Sequence, residues 1–292
     1  MSRICYVNGQ FVPENEAKVS IFDRGYLFGD GVYEVTPIVN SKLVDFDAHL
    51  ERLGRSLGEL QMAWPCGKED IRAMHMELVK RNSLTEGMVY MQVTRGVADR
   101  QFNFPKDAKS SIIAFTQVMT LVDNANARTG IKVITTPDIR WGRRDIKTVM
   151  LLASVLGKQA AVDAGVTDAW MVQDGKVTEG TSNNAFIVKG GKVITRPLSH
   201  DILPGCTRRA LFRLAQDHGV TIEERLFTPD EAYAADEAFI TSATQFVMPV
   251  TEIDGKRIGG GQPGPVSRKM RELFLDEAQK GWDQSTIRAS RS

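Results

Sequence analysis

Leucines at positions 50, 53, 57 and 60 step by three and four residues through HLERLGRSLGEL, which places them on one face of a helix over residues 49–60. Residues 68–82 repeat the pattern with Ile71, Met74, Leu78 and Val79. Short β-branched runs predict strands at 4–7, 32–39, 89–94 and 111–117, punctuated by Asn8-Gly9, Asp30-Gly31 and Glu86-Gly87. Beyond residue 130 the expected strands are 131–135, 169–173, 185–189 and 237–241, with hairpin turns at Asp174-Gly175 and Gly190-Gly191. Helices are expected at 148–164, 207–218 and 265–279. Mixed short strands with clustered hairpins favour an α+β architecture over a regular doubly wound sheet.

The chain has 292 residues, more than one small core usually takes, so one large or two medium domains are expected. The polar, turn-rich stretch VDNANARTG marks the boundary. It divides a smaller N-terminal α/β domain (1–122) from a larger domain (131–281), with 123–130 as linker. Residues 282–292 read as a disordered tail. Hydrophobic residues at 42% and charged residues at 25% argue against global disorder.

Lys and Arg total 37 against 36 for Asp and Glu. That balance leaves no electrostatic footprint for nucleic acid or an anionic membrane surface. No apolar run is long enough for a membrane span, and the N-terminus lacks a secretory signal, so the cytoplasm is the expected compartment. Three cysteines (5, 66 and 206) and four scattered histidines suggest neither a disulfide framework nor a metal site. Gly259, Gly261 and Gly264 satisfy G-x-G-x-x-G, but the loop holds Pro263 and Pro265 and follows no buried strand. It is read as a loop and not as a dinucleotide site.

Three segments carry candidate chemistry. In DIRWGRRDIK (138–147), Lys147 falls where a loop meets the expected helix at 148. A desolvated amine there is nucleophilic toward an aldehyde; the plainer reading is a lysine snorkelling from a helix start. In VTEGTSNN (177–184), Glu179 follows a hairpin strand and could pair with a protonated ring nitrogen, or be an ordinary solvated turn acid. In ILPGCTRRALFRL (202–214), Thr207 suits a helix N-cap, and Arg208 and Arg209 lie in the first turn against the macrodipole. An anion on the helix N-terminus would relieve that placement; so would acids on the surface. Arg52 and Arg100 could each grip an oxyanion, though each taken alone reads as a surface arginine.

Together these motifs resemble the fold-type IV (class IV) pyridoxal-phosphate aminotransferases, and within that family the D-amino-acid transaminases most closely. The resemblance rests on FDRGYLFGDGVYEV (22–35), VYMQVTRG (89–96), DIRWGRRDIK and VTEGTSNNAF (177–186), in order and at compatible spacing. It implies a two-domain fold with the cofactor between the domains, commonly in a homodimer. Lys147 matches the lysine that carries pyridoxal 5'-phosphate, and Glu179 the acid beside its ring nitrogen. Arg52, Cys206 and Thr207 match phosphate-binding positions, Ser242 with Ala243 a second donor pair, and Leu203 the residue packing on the ring. Tyr33 and Arg100 match side chains that receive the substrate α-carboxylate.

The implied reaction moves the amino group of a D-amino acid to a 2-oxo acid. Alternatives of the same fold are an (R)-selective amine transaminase, a branched-chain transaminase, aminodeoxychorismate lyase, or a binding protein without turnover. Leu152 stands where branched-chain enzymes carry a tyrosine, which counts against that assignment. Phe102 stands where the D-amino-acid enzymes typically carry a histidine. A phenyl ring cannot donate a hydrogen bond, so the carboxylate clamp should rest on Arg100 and Tyr33, and amines lacking a carboxylate could be tolerated.

Overall fold

The computed structural model describes residues 2–280 in two compact units. The first comprises the chain up to Thr120 together with Ile146–Met150; the second comprises Leu121–Asp145 and Leu151–Lys280. The segment 123–130 carries a one-turn helix (Ala125–Thr129) whose N-terminus is capped by the Asn124 side chain, and it belongs to the second unit. The tail at 282–292 lies outside the described residues.

The first unit runs β1 (Ile4–Val7), β2 (Gln10–Pro13), α1 (Arg24–Phe28), β3 (Gly31–Val39), β4 (Lys42–Leu43), α2 (Phe46–Glu59), α3 (Lys68–Arg81), β5 (Gly87–Thr94) and β6 (Ser111–Val118). Its six strands pair antiparallel in the order β2-β1-β6-β5-β3-β4. Leu50, Leu53 and Leu57 of α2 and Ile71, Met74 and Leu78 of α3 are buried against Val32, Val89, Met91 and Val93, so the leucine stripe forms the core face the spacing predicts.

The motif FDRGYLFGDG ties α1 to the sheet. Asp23 accepts from the Gly25 N–H and from Thr94 Oγ1. A Cβ at Gly25 would lie 2.3 Å from Thr94 Cγ2, so only glycine fits there. Asp30 then receives the guanidinium groups of both Arg24 and Arg95.

The segment at 146–150 departs from the expected helix. It is extended and lies against β3: the Tyr33 N–H donates to Lys147 O (3.0 Å), the Val149 N–H donates to Gly31 O (3.1 Å), and Thr148 bridges Val32 antiparallel. The helix begins five residues after Lys147, at Leu152. Ile146, Thr148 and Val149 are β-branched, which disfavours a helical turn; β3 takes up the Val149 N–H and the Lys147 carbonyl, and the Thr148 N–H donates to Ile146 O.

The second unit consists of α4 (Ala125–Thr129), β7 (Ile131–Pro137), α5 (Leu152–Asp163), β8 (Asp168–Gln173), β9 (Lys176–Gly180), β10 (Asn184–Lys189), β11 (Lys192–Thr195), α6 (Cys206–Asp217), β12 (Ile222–Glu224), α7 (Pro229–Tyr233), β13 (Glu237–Ser242), β14 (Phe246–Ile253), β15 (Lys256–Arg257) and α8 (Pro265–Lys280). Its mixed sheet orders β12-β11-β10-β13-β14-β7-β8-β9, with β15 beside β14. The β11/β12, β14/β7 and β7/β8 pairs are parallel. Strand β14 was not among the expected strands; it is internal although it contains Pro249, and its register shifts between Val250 and Glu252. The glycines of the rejected dinucleotide match fall between β15 and α8, outside any strand or helix.

No described helix is long and apolar enough to cross a membrane.

His75 is fully buried in the first unit. Its Nδ1–H donates to Ile71 O (2.8 Å), and its ring meets Phe46 edge-on. Burial pushes its pKa down to about 4. The unfolded chain takes up this proton near pH 6.5 and the folded chain only near 4, so the stabilisation is complete above pH 6.5 and is lost as pH falls through that window. The loss is on the order of 3 kcal/mol. Thermal midpoints between pH 7 and 4 should therefore fall less in His75→Gln than in the parent; parallel curves would contradict this assignment.

Candidate active site

Within the first unit the structure brings Lys147, Tyr33 and Arg52 into one neighbourhood. Lys147 Nζ lies 4.0 Å from the centroid of the Tyr33 ring, and the backbone N–H of Lys147 donates to Ser56 Oγ (3.3 Å). Ser56 and Arg52 lie one turn apart on α2. The Tyr33 ring stacks on Tyr90, which stacks in turn on Phe115, so the tyrosine is held from the side of the sheet.

Arg52 is not the surface residue its helix position suggested; it is 8% exposed. Its Nε and Nη2 donate to the two oxygens of Glu34 at 2.9 and 2.7 Å, and His49 Nδ1 adds a third bond to Glu34 at 2.7 Å. Burial acts to raise the Glu34 pKa, but Arg52 and His49 outweigh it and hold the carboxyl down at about 2. Glu34 and His49 were missed in the sequence. A signal existed: positions 49, 52 and 56 form a polar stripe beside the leucines, and Glu34 shares the inward face of β3 with Val32 and Thr36.

Arg100 and Phe102 are exposed in the loop after β5. The guanidinium carbon of Arg100 is 5.5 Å from the ring centroids of both Phe28 and Phe102, and those two rings are themselves 5.5 Å apart. Arg100 is thus flanked by two phenyl faces.

Within the second unit the structure brings Glu179 and Leu203 into direct contact. Glu179 is not a turn acid; it lies in β9, 3% exposed. Arg140 Nη1 donates to Oε1 (2.6 Å), Asn184 Nδ2 to Oε2 (2.8 Å), and the Leu203 N–H to both oxygens (3.2 Å). Burial pushes the Glu179 carboxyl above the usual range, with Arg140 pulling the other way. Asn184 also donates to Leu203 O (2.9 Å), which fastens the loop that leads into α6. A Cβ at Gly205 would lie 2.2 Å from Asn184 Oδ1, so this close approach requires the glycine.

Cys206 and Thr207 form the buried first turn of α6, whose N-terminus has no side-chain cap. Arg208 is also buried and donates to Glu224 (2.6 Å), so the acid of β12 already offsets its placement near the helix start. Ser242 and Ala243 lie at the turn from β13 to β14. The preceding Thr241 is the register partner of Asn184, and its buried Oγ1 has no hydrogen-bond partner. Arg140, Asn184 and Thr241 were missed in the sequence; Arg140 and Asn184 lie inside the quoted motifs, but nothing local singled them out.

The sequence profile of class IV amino-transferases matches residues 31–253. The chain is 39% identical to D-alanine aminotransferase of Bacillus licheniformis over 264 residues, covering 90% of this chain and 93% of that one. It is 38% identical to D-alanine aminotransferase of Staphylococcus haemolyticus over 270 residues, covering 92% and 95%. Among solved structures, the T.th. branched-chain amino acid aminotransferase with pyridoxamine 5'-phosphate superposes with a TM-score of 0.90 at 27% identity, over 96% of this chain and 95% of that one. The branched-chain aminotransferase of Thermoproteus uzoniensis with norvaline superposes with a TM-score of 0.86 at 26% identity, over 97% of each chain. The profile spans most of the chain and the curated relatives cover nine-tenths of it: the protein belongs to the class IV amino-transferase family.

Proposed function

We propose that this enzyme is a D-amino-acid transaminase that moves the amino group of a D-alanine-like donor to a 2-oxo acid, with pyridoxal 5'-phosphate as cofactor. The single observation that carries the substrate assignment is the 37–39% identity to D-alanine aminotransferases over at least nine-tenths of the chain. The branched-chain enzymes among the structural neighbours share less sequence, 22–27%.

The donor set fits a phosphorylated pyridine. A buried acid (Glu179) lies at one end of the cluster, and the N-terminus of α6, which no side chain caps, lies a few residues beyond Leu203. The buried hydroxyl of Thr241 lacks a partner on the same sheet. Lys147, Arg52, Glu179, Leu203, Cys206, Thr207, Ser242 and Ala243 are the residues we assign to holding the cofactor. Bound there, pyridoxal phosphate supplies a carbonyl carbon that carries the amino group and a ring that accepts electrons from the substrate's Cα.

The protein's part is then binding and proton management. Lys147 Nζ, resting on the Tyr33 ring, would be the base that moves the proton from the substrate's Cα to the cofactor carbon that keeps the amino group. The carboxylate of Glu179 would hold a proton on the ring nitrogen. Tyr33 and Arg100 receive the substrate carboxylate, and Phe102 contributes a face to Arg100 without a hydrogen-bond donor. Exposed Val19, Ile21, Phe22, Tyr26 and Phe102 in the first unit give a homodimer an apolar surface to cover. Three cysteines, none of them in a disulfide, support the cytoplasm as the working compartment.

A panel of D- and L-amino acids with pyruvate and 2-oxoglutarate should show turnover of D-alanine; turnover of L-branched-chain amino acids alone would overturn the reading. Arg100→Ala should raise KM for D-alanine about ten- to a hundredfold, the cost of one charged hydrogen-bonding partner; unchanged KM would remove Arg100 from the clamp. (R)-1-phenylethylamine should be turned over as a secondary donor, and Phe102→His should shift preference toward D-alanine; no amine turnover in the parent would discard that role for Phe102. Light scattering should give twice the chain mass, and a monomer would contradict the dimer.

A further inference from the structure

Arg140 is the residue of this cluster that no part of the proposed chemistry uses. Its position is heavily specified. Asp138 accepts from the Arg140 backbone N–H (3.1 Å), so it shapes the turn after β7, and it also accepts from Nε (3.0 Å) and Nη2 (2.7 Å) of the same residue. Thr178 Oγ1 fixes Asp138 from β9 by a 2.7 Å bond. The remaining nitrogen, Nη1, is aimed at Glu179 Oε1 at 2.6 Å. The side chains of Asp138 and Glu179 are 0% and 4% exposed, and that of Arg140 is 13% exposed.

We propose that Arg140 is a positioning residue that acts through Glu179, bridging it to Asp138 so that the Glu179 carboxylate stays charged and fixed in orientation toward the cofactor ring. The proposal rests on the reading that Glu179 faces the ring nitrogen. A carboxylate taken out of water tends to accept a proton, and a neutral acid there would no longer hold a proton on the ring. The charged groups that bear on Glu179 are Arg140 and Asp138 beside it, Arg144, whose Nε lies 3.5 Å from Asp138, and Arg208 of α6, paired with Glu224. Arg140 alone among them donates to Glu179. Asn184 and the Leu203 N–H orient the carboxylate but bring no charge. Lysine could not take this place: three nitrogens of one planar group serve two carboxylates.

The test is a double-mutant cycle on the holoenzyme, read as cofactor affinity by equilibrium dialysis and as the infrared band of a protonated carboxyl at pH 7. Glu179→Gln alone should weaken cofactor retention; if it does not, the reading of Glu179 has failed, independently of Arg140. Given that loss, Arg140→Gln should weaken retention about tenfold or more and bring up a carboxylic-acid band that is absent in the parent and in the Arg140→Gln/Glu179→Gln double variant. The double variant should retain the cofactor no worse than Glu179→Gln. Arg140→Lys, which keeps the charge but not the fork, should fall between parent and Arg140→Gln. Additive losses, or no Glu179-dependent band in a folded Arg140→Gln variant, would overturn the proposal.

Discussion

A carboxylate cannot leave water unless something replaces its hydration, and each of the two units encloses one acid in that position. Glu34 is enclosed by Arg52 and His49 in the first unit, and Glu179 by Arg140, Asn184 and the Leu203 N–H in the second. Each acid fixes what surrounds it. The Glu34 group orients Arg52 on the helix whose Ser56 meets the backbone of Lys147. The Glu179 group fastens the 203–205 loop and so fixes where α6 begins. Both groups are costly to break, because removing one member leaves a buried charge without its partner.

The second organising feature is covalent. The short stretch Ile146–Met150 belongs to the first unit although the chain on either side belongs to the second. Backbone bonds to Gly31 and Tyr33 hold it along β3, and the Ser56 hydroxyl adds a bond to the Lys147 N–H, so the backbone of Lys147 is pinned from two elements. Such a mounting leaves the backbone at Lys147 less freedom than an unpaired loop would have.

Much of the fold was legible because its periodicities are strong: the α2 leucines, the α3 stripe and the β-branched runs of β3, β5 and β10 all lie where their spacing put them. What failed did so where local pattern and tertiary pairing disagree. Thr148–Leu151 reads as the start of the apolar helix that follows, and nothing local reveals that β3 offers it a better set of partners. Strand β14 was not read from the sequence; its Pro249 is tolerated inside the sheet beside a register shift. In the site, the residue types with evident chemistry were visible, whereas their partners were not. An arginine or glutamate on a helix or strand looks solvated until its counter-charge, far away in sequence, is known, as with Glu34 for Arg52 and Arg140 for Glu179. Family resemblance singled out Lys147 and Glu179; only the structure showed what holds each in place.

The central claim is that one amine, Lys147 Nζ, carries the cofactor. Borohydride treatment of the enzyme saturated with pyridoxal phosphate, followed by peptide mapping, tests it most directly. A stable phosphopyridoxyl adduct on the peptide that contains Lys147, lost when D-alanine is added before the reductant, is the predicted result. An adduct on a different lysine, or an enzyme active with D-alanine after Lys147 is replaced by alanine, would contradict the account.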